Sequence, residues 1–557
     1  MKKGKLHRKS GEFACMSVAV SADEVYVIED EELVPEAIDA VRACKWIMHN
    51  AGFDLFHLRR WATVEFRDHD TFWDTMLWER LMWNGYFESF GLDDLTRRYL
   101  DVSMDKKVRR AFEKADTMTP EMRTYAATDA AATWEIYFKQ LNVLDSLPFG
   151  TALQRLWKEI EGPMVEIVPH FKGFKVDAEA WLALAAKNEL TKDTLKASFD
   201  FNPASPIQVK AALAKKNIRV DDTQASTLLE HSQSKLVSAI LTFRRAAKLA
   251  GTYGRKFLSD HVEPDGRVYA HYWTIGAATG RTASADPNMQ NIPNSDTFRQ
   301  CFIAERGKRL IIGDYSQQEP RIEASISQDQ TLIDFFVGGH DIHLEVARKV
   351  FGMPDMQKDN PLRYHGKTLN LGIGYGLQAR TLAERVNAQN KKDGRSDVLS
   401  VTQAEDIIAA YFREFKGVKS YIDHYRYLGE RNGFVQTTYG RPMWMNPYNK
   451  HWMNNAINAP IQGGAADQTK LALVLLFNKC RDEGVSYPVV ATVHDEIVLE
   501  VPRGEVRKYS EWLTWAMCHA GDMIYPNVPW TVEPKIGKTW QAKQTEDIED
   551  EEGEDES

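Results

Sequence analysis

"VVATVHDEIVLEVP", residues 489–502, is a pair of apolar, β-branched runs with a charged knot between them. Val489, Val490, Thr492 and Val493, then Ile497, Val498, Leu499 and Val501, have the composition of two short buried strands. The segment therefore predicts a hairpin with His494, Asp495 and Glu496 at or near its tip. Taken alone, a solvated turn explains such residues, because turns routinely carry them. A functional reading needs further charged groups elsewhere that converge on the same tip.

Three other stretches supply candidates. In "RLIIGDYSQQEPRIEAS", residues 309–325, Leu310, Ile311 and Ile312 read as a buried strand that ends at Asp314. A carboxylate at that strand end and Asp495 at the hairpin tip would together hold a pair of divalent ions. In "RYHGKTLNLGIGYG", residues 363–376, Arg363 and Lys367 lie four apart, and Leu371 and Tyr375 continue the same helical stripe. Two cations beside an aromatic suit a triphosphate with a stacked base, although a basic surface face explains them too. "ATGRTASADPNMQNIP", residues 278–293, is dense in small and amide residues, as in a segment running close to another backbone. Arg281 and Gln290 there would position phosphates or read a groove, unless the segment is a plain surface loop.

Composition frames these motifs. The 557 residues are 43% hydrophobic and 27% charged, enough for three or more globular domains. There is no run of 18 apolar residues, so no transmembrane helix is expected, and the basic N-terminus lacks a signal-like apolar core. Five scattered cysteines, with no CxxC pair, fit a reducing, cytosol-like compartment and argue against a Cys-based zinc site. The net charge of −9 misleads, because residues 545–557 hold nine acids and no Lys or Arg. Without that tail, expected to be disordered, the body is neutral, and local basic stretches can still hold a polyanion.

Taken together these stretches resemble family A DNA polymerases, the group of bacterial DNA polymerase I and many phage replicative enzymes. ATGRTASADPNMQNIP looks like the family's TGR…QNIP segment, DYSQQEPR its first carboxylate motif, RYHGKTLNLGIGYG its nucleotide-binding helix and VHDE its second carboxylate motif. "NAPIQGGAAD", residues 458–467, looks like the helix that contacts primer and template. The resemblance implies an α/β multidomain fold: a right-hand polymerase with palm, fingers and thumb, preceded by a ribonuclease H-like 3′–5′ exonuclease-like domain. The expected division is an exonuclease-like domain over 1–148, thumb 149–262, first palm part 263–338, fingers 339–425, second palm part 426–544 and acidic tail 545–557.

The resemblance also implies roles. Asp314 and Asp495 would ligate two Mg²⁺ ions, with Mn²⁺ as a substitute. Arg363, Lys367 and His343 would bind the triphosphate of the dNTP, with Lys367 offsetting developing charge. Gln317, Leu371 and Tyr375 would line the nucleotide site. Glu319 would close the space where a ribose 2′-hydroxyl would sit, favouring deoxynucleotides. Arg281, Gln290, Asn458, Gln462 and His494 would contact primer–template DNA, where minor-groove acceptors are common to all base pairs. Two positions depart from the family pattern: Leu371 stands where an aromatic is usual, and Asn454 where many members have Arg.

In the N-terminal region, "HNAGFDLFHLRR" (49–60) with Asp54, and "YAATDAAATWEIY" (125–137) with Tyr125 and Asp129, resemble two exonuclease motifs. The Asp-x-Glu of the first motif is missing, since MKKGKLHRKS contains no acid. The expectation is thus a monomeric DNA-directed DNA polymerase of phage type, working in replication, with little or no proofreading and with a helicase or processivity factor as a further partner. Gap filling, lesion bypass or a decayed DNA-binding accessory protein are the alternatives. The intact set Asp314, Asp495 and Lys367 argues against decay.

Overall fold

The computed structural model describes residues 13–542, apart from 63–65, 67–68, 105–106, 109–111, 113–116 and 294–296. The segment expected to carry the first exonuclease motif and the acidic tail both lie outside the described residues.

The quoted hairpin forms as its composition predicts. Strand Val489–Val493 pairs antiparallel with Glu496–Pro502, which pairs in turn with Lys308–Asp314, and Lys535–Gly537 completes a four-stranded sheet. Every residue of Val489–Val493 is buried, so the run is apolar on both faces rather than alternating. One face packs on helix Val506–Ile524, which lies against the long helix Trp452–Asp482. Gly313 makes this packing possible: a Cβ there would sit 2.8 Å from Leu513 and 2.9 Å from the Met517 sulfur. The residue just before Asp314 has to be small for the helix to approach.

Residues 340–432 are mostly helical, with Ile342–Phe351 packed on Leu362–Gly372, followed by Ala379–Lys392, Val401–Glu414 and Lys416–Asn432. Residues 150–261 are also mostly helical, and helices Ala178–Ala197 and Lys235–Thr252 run against each other. In the N-terminal region, strands Met16–Ala19 and Val25–Ile28 pair antiparallel, and Trp46–Met48 pairs parallel with Phe72–Asp74. Helix Pro120–Ser146, capped by Thr119, packs across both pairs.

The N-terminal region shares its apolar core with the remainder. Phe72 and Trp78 meet Trp157 with ring centroids 5.2 Å apart, and Trp83 stacks on Trp444 at 5.3 Å. The Trp444 indole donates to the Met82 carbonyl at 2.8 Å, and its amide to that of Asn84 at 2.8 Å. Trp444→Leu should therefore lower stability by about 2 kcal/mol, from a lost aromatic stack and an orphaned carbonyl. Denaturant unfolding monitored by tryptophan fluorescence checks this.

A second tie is ionic and wholly buried. Arg441 reaches Asp467 at 2.8 Å and also Glu161, which Lys470 contacts as well, while the Thr437 hydroxyl donates to Asp467 at 2.7 Å. Breaking a buried set of this kind leaves an uncompensated charge. It fixes helix Trp452–Asp482 against residues 157–161 and therefore orients the face that carries Asn458 and Gln462.

Candidate active site

Asp314 ends its strand directly opposite Glu496, and Val493 pairs with Glu496 to close a two-residue turn made of His494 and Asp495. His494 takes φ +58°, a left-handed value that reverses the chain within that turn. Pairing of the two strands thus brings Asp314 and the hairpin tip to the same edge of the sheet. Burial, followed by the charges of Asp495 and Glu496, pushes the Asp314 carboxyl up to about 7, against the pull of Lys535 and Arg299. Burial likewise raises Asp495.

Glu496 has a different surrounding. The Trp540 indole donates to it at 2.6 Å and Arg299 at 3.3 Å, with the Arg299 guanidinium 4.1 Å from the Trp540 ring. Glu496 is thereby occupied, whereas the Asp314 carboxylate has no hydrogen bond or ion pair among the described residues. A buried carboxylate whose proton affinity is raised further by its acidic neighbours is a donor a hard divalent cation would relieve. Among the described residues no group of three or more His, Cys, Asp or Glu is arranged to hold a metal. Asp314 and Asp495 are two hard oxygen donors of the kind Mg²⁺ takes, and they are the residues that would hold it.

Four of the expected residues form one hydrogen-bonded chain. Arg281 donates to one Glu319 oxygen at 2.6 Å, the Tyr375 hydroxyl to the other at 2.5 Å, and the Gln462 amide to the Tyr375 oxygen at 2.8 Å. Residues from the 278–293 segment, the helix after Asp314, the turn Ile373–Tyr375 that follows helix Leu362–Gly372, and helix Trp452–Asp482 therefore meet at one place. His494 belongs to the same neighbourhood: burial and then Arg281 lower its basicity, with Asp495 and Glu319 acting the other way.

Gln317 also has a left-handed φ of +58°, and its buried Oε1 lacks a partner. Asn458, one turn before Gln462, has a buried and unpartnered Oδ1. The Gln290 amide turns back to the Thr282 carbonyl at 2.9 Å and its hydroxyl at 3.2 Å, bracing its own segment. Asn454 lies against Gly376, where a Cβ would meet its Oδ1 at 2.3 Å.

Along helix Leu362–Gly372 the expected stripe faces outward. Lys367 is exposed and has no ion-pair partner among the described residues, while Leu371 and Tyr375 are about two-fifths exposed, at 43% and 40%. Arg363 is held by Asp341, with Nη2 at 2.7 Å and Nε at 3.1 Å from one carboxylate oxygen. Asp341 also caps helix Ile342–Phe351. Gly366 lets the two helices touch, since a Cβ there would lie 2.3 Å from the His343 carbonyl. Burial, with help from Arg363 and Lys367, brings the His343 imidazole down to about 4, so it stands neutral beside two cations.

The sequence model described as DNA polymerase family A matches residues 182–542. The chain belongs to DNA polymerase family A. A second model, described as 3′–5′ exonuclease, matches residues 8–145. The chain is 30% identical over 505 residues to DNA polymerase I of Pseudomonas aeruginosa, covering 84% of this chain and 53% of that protein. It is 29% identical to DNA polymerase I of Aquifex aeolicus, covering 93% of this chain and 91% of the relative. Thermostable DNA polymerase I of Thermus aquaticus is 30% identical over 75% of this chain and 52% of its own length. The chain therefore spans about half the length of two of these relatives and nine tenths of the third. Among solved structures, the POL domain of Pol1 from M. smegmatis, in complex with DNA primer-template and dNTP, superposes with a TM-score of 0.77. That match has 26% identity and covers 95% of this chain and 93% of the other. These relatives are bacterial, so the phage-type setting rests on the layout of the sequence alone.

The exonuclease match of this family A chain contains a carboxylate the sequence reading passed over. Asp74, fully buried at the end of strand Phe72–Asp74, accepts the amides of Asn50, Ala51, Met76 and Leu77 at 2.7 to 3.1 Å. It therefore holds the starts of two helices, Ala51–Leu58 and Thr75–Met82. The Asp-Thr pair after an apolar strand was the available signal, as a helix N-cap. Burial and the adjacent Asp74 push Asp54 up to about 8. Tyr125 and Asp129 lie one turn apart on helix Pro120–Ser146, and Asp129 is an electrostatic neighbour of Cys15. All five cysteines are free thiols, and no described helix is long and apolar enough to cross a membrane.

Proposed function

We propose that the chain is a DNA-directed DNA polymerase that adds deoxynucleotides to a primer 3′ end on a DNA template. The observation that carries this is the meeting of Asp314 and Asp495 at one sheet edge beside the Arg281–Glu319–Tyr375–Gln462 chain. Two Mg²⁺ ions on these carboxylates would supply activation of the attacking 3′-hydroxyl and charge neutralisation on the triphosphate. Asp314 and Asp495 are the residues that would hold those ions. Lys367 and Arg363, on the exposed helix stripe, bind triphosphate oxygens, and Asp341 keeps the Arg363 fork oriented. His343, beside these two cations, adds a hydrogen bond to the triphosphate. Arg281, Gln462, Asn458 and His494 flank the primer terminus. Their donors suit acceptors shared by all base pairs, as an enzyme that copies every sequence needs.

The domain division stated above is part of this reading, as are a monomeric state and a cytoplasmic location. Primer extension with Mg²⁺ and either dNTPs or rNTPs tests it. Template-dependent extension with dNTPs is expected, and absence of any extension would overturn the assignment.

We further infer that proofreading by this chain is weak or absent. Asp54 and Asp129 are two of the carboxylates such a site needs. Asp74, the third acid nearby, is already saturated by four backbone amides. A 5′-labelled, mispaired primer incubated with Mg²⁺ and no dNTPs should keep its 3′ end. Rapid shortening that disappears in Asp129→Ala would refute the inference.

A further inference from the structure

Helix Gln318–Ser327 carries two glutamates one turn apart, Glu319 and Glu323. Glu319 reaches the Tyr375 hydroxyl, as described. Glu323 lies beneath the preceding residue of the same turn: a Cβ built on Gly374 would be 3.3 Å from its Oε1, 3.6 Å from its Cδ and 3.0 Å from Ile461 Cδ1. It is 3% exposed, and that Oε1 has no hydrogen-bond partner.

We propose that Glu323 is a positioning residue for the nucleotide-binding helix, a buried carboxyl whose fit beneath Gly374 sets how firmly the turn carrying Tyr375 stays folded. The inference rests on reading residues 362–376 as that helix. The charged groups that act on Glu323, Glu319 and Asp329, both oppose its ionisation. On its own helix stands Glu319, already paired with Arg281. Asp329, 4% exposed, caps the next helix and accepts the Gly417 amide at 2.8 Å. Tyr411, wholly buried with an unpartnered hydroxyl, and Tyr421, which donates to the Ile457 carbonyl, complete the surroundings. Among the described residues no cation is a cause of its shift, and burial together with Glu319 and Asp329 pushes it up to about 8.

The sign of the coupling follows. With the turn closed, Glu323 keeps its proton up to about pH 8. With the turn open, the carboxyl reaches water and loses its proton at the ordinary carboxylate value. Opening therefore releases one proton, and each pH unit between those values favours the open turn by up to about tenfold. Above the upper value both forms are ionised and the dependence stops.

Hydrogen–deuterium exchange on the whole chain without DNA tests this at amides 372–376. Wild type and Glu323→Gln are compared at the same pH, so the intrinsic exchange rate cancels. The wild-type to variant ratio should rise about tenfold or more from pH 6 to 8 and then level off. A flat ratio would overturn the proposal, since a residue that merely fills space has no proton to couple. Glu323→Met, which also cannot titrate, should match the Gln variant, and it serves alone should Gln fail to fold. In steady-state incorporation, the KM for dNTP of wild type relative to the variant should rise over the same window while the kcat ratio stays level. A chain that incorporates nothing would refute the polymerase reading and leave the exchange result standing.

Discussion

Asp314→Ala and Asp495→Ala should each cut primer extension by about a thousandfold or more, while primer–template affinity changes less than about threefold. The asymmetry arises because the two steps rest on different groups. Duplex binding is dominated by phosphate neutralisation by Lys and Arg, to which neither carboxylate contributes. Nucleotidyl transfer, in contrast, needs negative charge where the cations sit, and the strand pairing gives no substitute, since Glu496 is occupied by Trp540 and Arg299. The variants should also lose no thermal stability. Asp314 is crowded by Asp495 and Glu496, so removing its charge relieves repulsion in the folded state. Single-turnover extension, a binding titration and a melting curve on the same preparations decide the matter. Extension near the wild-type rate in either variant would refute the metal assignment, and a collapsed melting temperature would mean the carboxylates are structural.

What the sequence made legible was whatever is encoded locally. Periodicity placed the hairpin, the strand ending at Asp314 and the stripe Arg363–Lys367–Leu371–Tyr375, because each depends on neighbours within a few residues. The resemblance assembled these into one site, and Arg281, Glu319, Tyr375 and Gln462 do meet. Partners joined across long separations stayed hidden. Asp341 holds Arg363 from 22 residues away, Arg299 meets Glu496 across 197, and Glu161 meets Arg441 across 280. No local pattern marks those pairs, since a surface acid and a buried counter-ion look alike in a string of letters. Asp74 was missed for another reason. Its helix-capping role had a local signature, but attention to acids in motif positions passed over it. The shared core of the N-terminal region and the remainder, through Trp83 and Trp444, was likewise invisible, because aromatic content gives no address.

Glu319→Ala should raise ribonucleotide use relative to deoxynucleotide use by about a hundredfold, the scale on which a pocket rejects or admits one added hydroxyl. The geometry gives this variant a second consequence. Glu319 is the centre of the chain that links Arg281 to Tyr375, so its loss frees both. Tyr375, whose hydroxyl burial and Glu319 push up to about 12, would keep only the Gln462 amide as its partner. Incorporation of the correct dNTP should therefore also slow, through KM more than kcat, because a positioning network is loosened while Asp314 and Asp495 are untouched. Glu319→Gln separates the two effects. It preserves the bulk that faces the sugar but weakens the charged pairing with Arg281, so ribose exclusion should largely persist while the KM for dNTP rises. Leu371→Tyr is the complementary probe, adding an aromatic hydroxyl on the exposed stripe one turn before Tyr375, and it should alter acceptance of dideoxynucleotides. Competition assays with matched dNTP, rNTP and ddNTP pairs read all three variants. If sugar selectivity is unchanged in Glu319→Ala and in Leu371→Tyr alike, helix 362–372 does not face the incoming nucleotide, and the arrangement proposed for the site fails at its centre.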